Sequence, residues 1–100
     1  MEDCCVAEMW KGADKFFIAL GDENRQKILM LLGKGKRICV NDIANESHLS
    51  RPAISHHLKV LKEAGILQSE KVGKEVYYYC YKDYILEMLE KVTRAIKECC

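Results

Sequence analysis

The sequence predicts a single domain over residues 1–100, of the mainly α-helical α+β class, with the element order α-α-β-α-α-β-β-α. Three observations support this prediction. A length of 100 residues suits one domain, and an apolar content of 49% is typical of a globular chain. Apolar side chains recur at three- and four-residue steps along much of the chain, which is the spacing of a helix that buries one face. A Tyr-rich run, residues 76–81, favours a strand instead.

The N-terminal third contains two predicted helices and a strand. Residues 5–20 carry an apolar stripe that ends at Gly21. Asp22 then caps a second helix, which ends at Gly33, because a carboxylate accepts backbone N–H groups at a helix start and glycine terminates helices readily. After a turn, residues 37–39 can form a very short strand.

Two further helices follow, separated by a tight connection. Asn41 can cap a short helix over residues 42–46. Ser50 caps a longer helix that ends at Gly65 and has Pro52 in its first turn, where a missing N–H costs nothing. The predicted inward face of this longer helix consists of Ile54, Leu58, Leu61 and Ala64.

The C-terminal third contains two predicted strands and a helix. Residues 66–69 and 76–81 are the strands, joined by residues 71–74, and the second alternates so that one face carries Val76, Tyr78 and Cys80. Asp83 caps the final helix. Its apolar stripe consists of Ile85, Met88, Leu89, Val92 and Ile96.

The order of these elements indicates a winged helix-turn-helix. A short helix, a tight turn and a longer helix with a polar face form a helix-turn-helix over about residues 41–64. The basic hairpin directly after it, over about residues 66–81, is a wing. Charge supports an anionic partner for this region. The whole chain carries a net charge of only +1, but residues 24–74 hold ten basic and four acidic side chains.

We predict that the longer helix docks in the major groove of double-stranded DNA. Short polar side chains near its start suit base edges, and basic side chains beside them suit phosphates. Arg51 can reach a guanine edge with two hydrogen bonds. For Lys59 an ordinary solvated surface is an open alternative, and His57 can instead pack or bond locally. The predicted DNA contacts are Ser50, Arg51, Ser55, His56, His57, Lys59, Lys71 and Lys74.

Three segments of the chain carry a resemblance to a known family. They are residues 19–29 (ALGDENRQKIL), residues 49–65 (LSRPAISHHLKVLKEAG) and residues 71–79 (KVGKEVYYY). They resemble, in that order, the second-helix signature, the recognition helix and the wing of the arsenic-repressor/metallothionein-repressor (ArsR/SmtB) family of winged-helix transcription regulators.

The resemblance implies a homodimer that represses transcription and leaves DNA when an effector binds, and we expect the protein to be cytoplasmic. It also implies dimerisation through the first and last helices. A symmetric dimer predicts a palindromic operator with half-sites about one helical turn apart. No membrane partner is expected, since no stretch longer than seven residues lacks a charged side chain.

Five of the six cysteines are candidates for the effector site. In one site type of the family, two Cys flank a Val, helped by Cys of the N-terminal arm. Cys39 matches the first position, whereas Asn41 stands at the second; Cys4 and Cys5 lie on an arm that can supply thiolates. Cys99 and Cys100 can join a site across the dimer or form a redox pair. Soft thiolates favour As(III), Cd, Pb, Zn or Cu(I).

Several alternatives stay open from sequence. Cys39 can be a small buried hydrophobe, the terminal Cys pairs can be functionless ends, and Cys80 is expected to pack in the core. A regulator with no metal site is therefore one alternative. A winged-helix protein-interaction module without sequence-specific DNA binding is another. A thiol oxidoreductase is disfavoured because the chain has no C-x-x-C motif.

Overall fold

The computed structural model describes residues 11–99. Its element order confirms the predicted fold class. Within the described residues the elements are α1 Ala13–Leu20, α2 Glu23–Leu31, β1 Ile38–Cys39, α3 Val40–Asn45, α4 Arg51–Glu63, β2 Leu67–Val72, β3 Glu75–Cys80 and α5 Lys82–Cys99. Of the helices in that range, none combines the length and the apolar character that spanning a bilayer requires.

The three strands form one antiparallel sheet in the order β1-β3-β2. Ile38 of β1 lies opposite Tyr78, and Leu67 of β2 lies opposite Cys80. The β2–β3 hairpin turns at Gly73, whose φ of 64° lies in the left-handed region that a tight two-residue hairpin turn needs. The N–H of Tyr81 donates to the Ile66 carbonyl at 2.8 Å and closes the base of the hairpin. This hairpin is the wing.

The core lies between the helices and the base of the wing. Its fully buried large side chains are Phe16, Ile28, Leu32, Ile43, Ile54, Leu58, Leu61, Ile66 and Leu67. Three of them come from α4, and Ala64 is buried just after that helix, which confirms its predicted inward face. Helix α4 is thus held along one side by the core, and its other side is exposed.

Two predicted helix starts are confirmed. The Asp22 carboxylate accepts from the Asn24 N–H at 2.9 Å, and the Ser50 hydroxyl accepts from the Ala53 N–H at 3.3 Å. Each bond satisfies one of the backbone donors that the first turn of a helix leaves without an intrahelical partner.

One predicted helix is interrupted, and two predicted caps are wrong. The first helix does not run unbroken from residue 5, because Gly12 has a φ of 84° and α1 begins at Ala13; residues 5–10 lie outside the described part of the chain. Helix α3 begins at Val40 with Cys39 at the cap position, so Asn41 is inside it. Helix α5 begins at Lys82, so Asp83 lies in its first turn, where its charge still complements the helix dipole.

The strands also differ from the prediction. β2 continues to Val72, beyond the expected end at residue 69, because pairing with β3 carries it out to the turn. In β3 all six residues are half-buried, and Tyr78 and Cys80 of the predicted face pack against the core. The second face is partly covered: the Arg37 guanidinium lies 4.0 Å from the centre of the Tyr79 ring. Cys80 packs against the core, as expected.

Helix α5 has an apolar face wider than the core covers. Met88, Val92 and Ala95 are buried. The adjoining row, Leu86, Leu89 and Ile96, is 53%, 41% and 51% exposed, and we call it the outer stripe of α5. The predicted stripe is therefore split: Val92 and Met88 serve the core, whereas Leu89 and Ile96 do not.

Gly65 joins α4 to the wing in a way that only glycine allows. Its φ is +87°, and a Cβ at this position would lie 2.7 Å from the Tyr84 ring of α5. Both the backbone conformation and the close approach exclude larger residues. The end of α4 therefore packs directly on the start of α5.

Candidate nucleic-acid interface

The polar face of α4 is exposed, as the sequence pattern predicts. Ser55, His56 and Lys59 are exposed on the side opposite the buried Leu58. Within residues 11–99 nothing covers these side chains. Because the core fixes the other side of the helix, the face presents polar groups at fixed spacing, which is what a helix in the major groove requires.

Arg51 is the first residue of α4 and is exposed. Its Nε donates to the Asn41 Oδ1 of α3 at 2.9 Å. This contact joins the two helices of the helix-turn-helix at their N-terminal ends. Ser50, the cap, is also exposed, so the start of α4 faces the same surface, with the Ala53 N–H bonded to the Ser50 hydroxyl.

His57 is placed differently from the other predicted DNA contacts. It is half-buried, and its Nδ1 lies 3.1 Å from the Nη1 of Arg25 in α2. Desolvation lowers the pKa of His57, the charges of Arg25 and His56 lower it further, and the Asp22 carboxylate opposes them. The neutral ring can accept from Arg25 at Nδ1. His57 therefore ties α4 to α2 inside the protein.

Arg25 makes the densest set of polar contacts around the interface, and sequence reasoning missed it. Nε donates to the Ala19 carbonyl at 2.8 Å and Nη2 to the Ile18 carbonyl at 3.1 Å, both at the end of α1. Asp22 lies 3.7 Å from Nη1. Partial desolvation works to raise the pKa of Asp22, but the Asn24 N–H bond and the Arg25 charge outweigh it and leave that pKa low. Arg25 thus connects α1, α2 and α4.

The wing adds positive charge beside α4. Lys71, in β2, and Lys74, in the turn, are both exposed. The nearby carboxylate of Glu70 forms an ion pair with Arg37 and therefore does not neutralise the charge of either lysine. Lys62 of α4 donates to the Ser69 hydroxyl at 2.6 Å and links the helix to the wing. The exposed lysines suit phosphate contacts on either side of a groove.

The described cysteines do not by themselves form a metal site. Cys39 is 5% exposed, and its thiol donates to the Asp42 carboxylate at 3.3 Å. Burial raises the pKa of the Cys80 thiol, which disfavours its thiolate. No group of three or more His, Cys, Asp or Glu side chains suited to a metal occurs in the described part of the chain. Cys4, Cys5 and Cys100 lie outside the described residues, as does the side chain of Cys99.

Comparison with known proteins places this geometry in a family. Residues 22–69 match the model of the bacterial regulatory protein, arsR family. A helix-turn-helix transcriptional regulator of Methanocaldococcus jannaschii is 39% identical over 85 residues, which are 85% of this chain and 96% of that protein. The chain belongs to the ArsR family. This ArsR-family protein is thus a DNA-binding transcriptional regulator and not an enzyme, which removes the oxidoreductase alternative.

Two further relatives show the extent of the similarity. The cadmium resistance regulatory protein CadC of Listeria innocua is 45% identical to the ArsR-family chain over 75 residues, but the chain spans only 63% of its length. A solved ArsR-like transcriptional regulator from Rhodococcus sp. RHA1 superposes with a TM-score of 0.81 at 30% identity, covering 89% of this chain and 83% of that one. The winged helix-turn-helix is therefore shared along most of the described chain.

Proposed function

We propose that the protein is a transcriptional repressor that binds a palindromic operator in double-stranded DNA as a homodimer and leaves it when an effector acts. One observation carries the proposal. The exposed polar face of α4 lies beside the exposed lysines of the wing and opposite a fully packed core face. A protein-interaction module would not need this combination of base-edge and phosphate groups, so the DNA function is favoured.

The residues on this surface divide by the group that they suit. Arg51, Ser55 and His56 lie near the start of α4 and have side chains that form hydrogen bonds with base edges. Lys59, Lys71 and Lys74 suit phosphates. Ser50 takes up the Ala53 N–H and Pro52 has no N–H, so the Arg51 N–H is the first-turn donor that suits a phosphate, where the helix dipole favours negative charge. His57 supports the interface from inside, through Arg25.

The homodimer is supported by unburied apolar surface. The outer stripe of α5 and Ile18 of α1, which is 65% exposed, lie on helices that also supply core residues. Covering such a surface against a second copy removes apolar area from water. The first and last helices are the elements that the sequence resemblance implies for dimerisation. DNA as the partner supports a location in the cytoplasm.

The effector that we propose is a thiophilic metal or metalloid, among Zn, Cd, Pb, Cu(I) and As(III), or a thiol-redox signal. Support comes from the relatives that are cadmium and arsenic resistance regulators. Cys39 lies at the β1–α3 junction, next to the helix-turn-helix. Because the described residues do not supply a full set of metal ligands, further ligands or redox partners would come from Cys4, Cys5, Cys99 or Cys100.

DNA binding is tested with an operator selected from a randomised duplex library by the full chain. We expect a two-fold symmetric footprint and an affinity that falls steeply with salt. His56→Ala should weaken operator binding by about five- to a hundredfold and leave random-duplex binding nearly unchanged, since base contacts carry discrimination. Lys97→Ala, an exposed lysine on α5, is the matched control. Equal losses on both duplexes, or a footprint with no symmetry, would contradict the proposal.

The effector is tested by titrating the operator-bound protein with Zn(II), Cd(II), As(III) and a persulfide donor. One of these should release the DNA, with an affinity change of about 5- to 150-fold, the usual range for linked binding. Cys39→Ser should suppress the release, whereas Cys80→Ser should leave it intact. If no reagent releases the operator, the effector part fails and the DNA part stands.

A further inference from the structure

The contact between Asn41 and Arg51 has a consequence for sequence recognition. Arg51 is a cation at the N-terminus of α4, where the helix dipole is positive, so the helix itself does not hold this side chain. The Asn41 Oδ1 accepts from its Nε at 2.9 Å instead. Within the described residues, this is the only hydrogen bond of the Arg51 side chain. Its two Nη groups are therefore left without a protein partner there.

The free edge of the guanidinium matches one base. A guanidinium carries five donors in a plane, and using Nε fixes the direction in which the two Nη groups point. Guanine is the base that presents two adjacent acceptors, N7 and O6, in the major groove. A side chain already held in one orientation also loses less conformational freedom when it binds.

We propose that Asn41 is a positioning residue for specificity: it orients Arg51 so that the two Nη groups bind the N7 and O6 of one guanine in each half-site. The proposal rests on the proposed DNA function, because it requires that Arg51 contacts a base. Asn41 itself need not contact DNA. It lies on α3, the first helix of the helix-turn-helix, and so makes base recognition depend on both helices.

The experiment uses the full chain, its selected operator, and operators in which each guanine is replaced in turn by 7-deazaguanine, which lacks the N7 acceptor. For the unaltered protein we expect one guanine per half-site whose replacement weakens binding by about five- to a hundredfold. Arg51→Ala should abolish that penalty. Asn41→Ala should reduce it by about threefold and leave the penalties at other guanines unchanged.

Two variants separate positioning from a general structural effect. Asn41→Asp keeps an acceptor for Nε and should restore the guanine penalty, although its added negative charge lowers total affinity. Asn45→Ala, an exposed position at the other end of α3, should leave the penalty unchanged. Urea unfolding of each variant confirms that the fold is retained.

The outcomes distinguish the two levels of the argument. If Arg51→Ala abolishes the penalty but Asn41→Ala does not change it, the positioning role is refuted while the DNA function stands. If Asn41→Ala weakens binding to the operator and to the random duplex equally, Asn41 acts on contacts with the DNA phosphate backbone. The proposal is then also overturned. If no guanine is sensitive in the unaltered protein, Arg51 does not bind guanine and the positioning role falls with it. Failure to select any operator would instead refute the DNA function.

Discussion

Leu89→Glu should convert the protein to a monomer and weaken operator binding by about a hundredfold or more. Leu89 is in the middle of the outer stripe of α5, between Leu86 and Ile96. A carboxylate there would have to be desolvated in the interface without a partner, which is costly. Binding two linked half-sites gives an operator affinity about 100-fold or more higher than binding one, and a monomer loses this increase in affinity. Sedimentation velocity and operator titration measure the two effects.

The control for this variant is Arg94→Gln on the polar side of α5. It also changes the net charge by one negative unit, and it removes only a surface pair with Glu90 at 3.9 Å. Arg94→Gln should remain dimeric and bind the operator within about twofold. A Leu89→Glu protein that stays dimeric would place the interface elsewhere, and an unaltered protein that sediments as a monomer would remove the dimer model altogether.

Arg25→Ala should lower the free energy of unfolding by about 2–4 kcal/mol, because it removes several charge-assisted hydrogen bonds at once. The Arg25 side chain is only 12% exposed, so water cannot fully replace it. Its loss leaves the Ala19 carbonyl without a donor and His57 without its partner. Operator affinity should fall as well, since α4 loses a tie to α1 and α2. Urea unfolding followed by circular dichroism gives the stability change.

Lys27→Ala on the same helix provides the comparison. Lys27 and Glu23 form an exposed pair at 3.6 Å, with side chains 64% and 81% exposed. Exposed pairs of this kind contribute about 0–1 kcal/mol, so the variant should be nearly as stable as the unaltered protein. A similarly small decrease in the free energy of unfolding for both variants would show that the contacts of Arg25 contribute no more than an exposed ion pair.

Local chemistry in the sequence was sufficient for much of the fold. Asp22 and Ser50 were predicted as caps because a short polar side chain before an apolar stripe satisfies the free N–H groups of the first turn. The inward face of α4 followed from its spacing. The same reasoning failed at Asn41. The cap position falls two residues earlier, at Cys39, and the Asn41 side-chain oxygen accepts a hydrogen bond from Arg51 instead. Several polar residues lay close together there, and only tertiary contacts decide among them.

The candidate site was predictable only where a single element supplies it. The exposed face of α4 follows from periodicity along one helix. Arg25 and His57 are 32 positions apart, so no local pattern links them. The division of the α5 stripe into a buried row and an exposed row could not be predicted from sequence either. Spacing identifies an apolar face but not how much of that face the core covers. The signal that the sequence offers for Arg25 is its position three residues after the predicted cap Asp22; its burial is seen only in the folded structure.

The close approach of Tyr84 to Gly65 joins α5, the proposed dimerisation helix, to α4, the proposed DNA-binding helix. The ring lies where a side chain on residue 65 would have to be, so the end of α4 and the first turn of α5 are in close contact. In the proposed dimer, a rotation of α5 against the second protomer would act on the C-terminal end of α4 through this contact. In a symmetric pair both α4 helices would move together, and their separation would change by twice the single displacement. A duplex with a fixed helical repeat of about 34 Å accepts only one such separation.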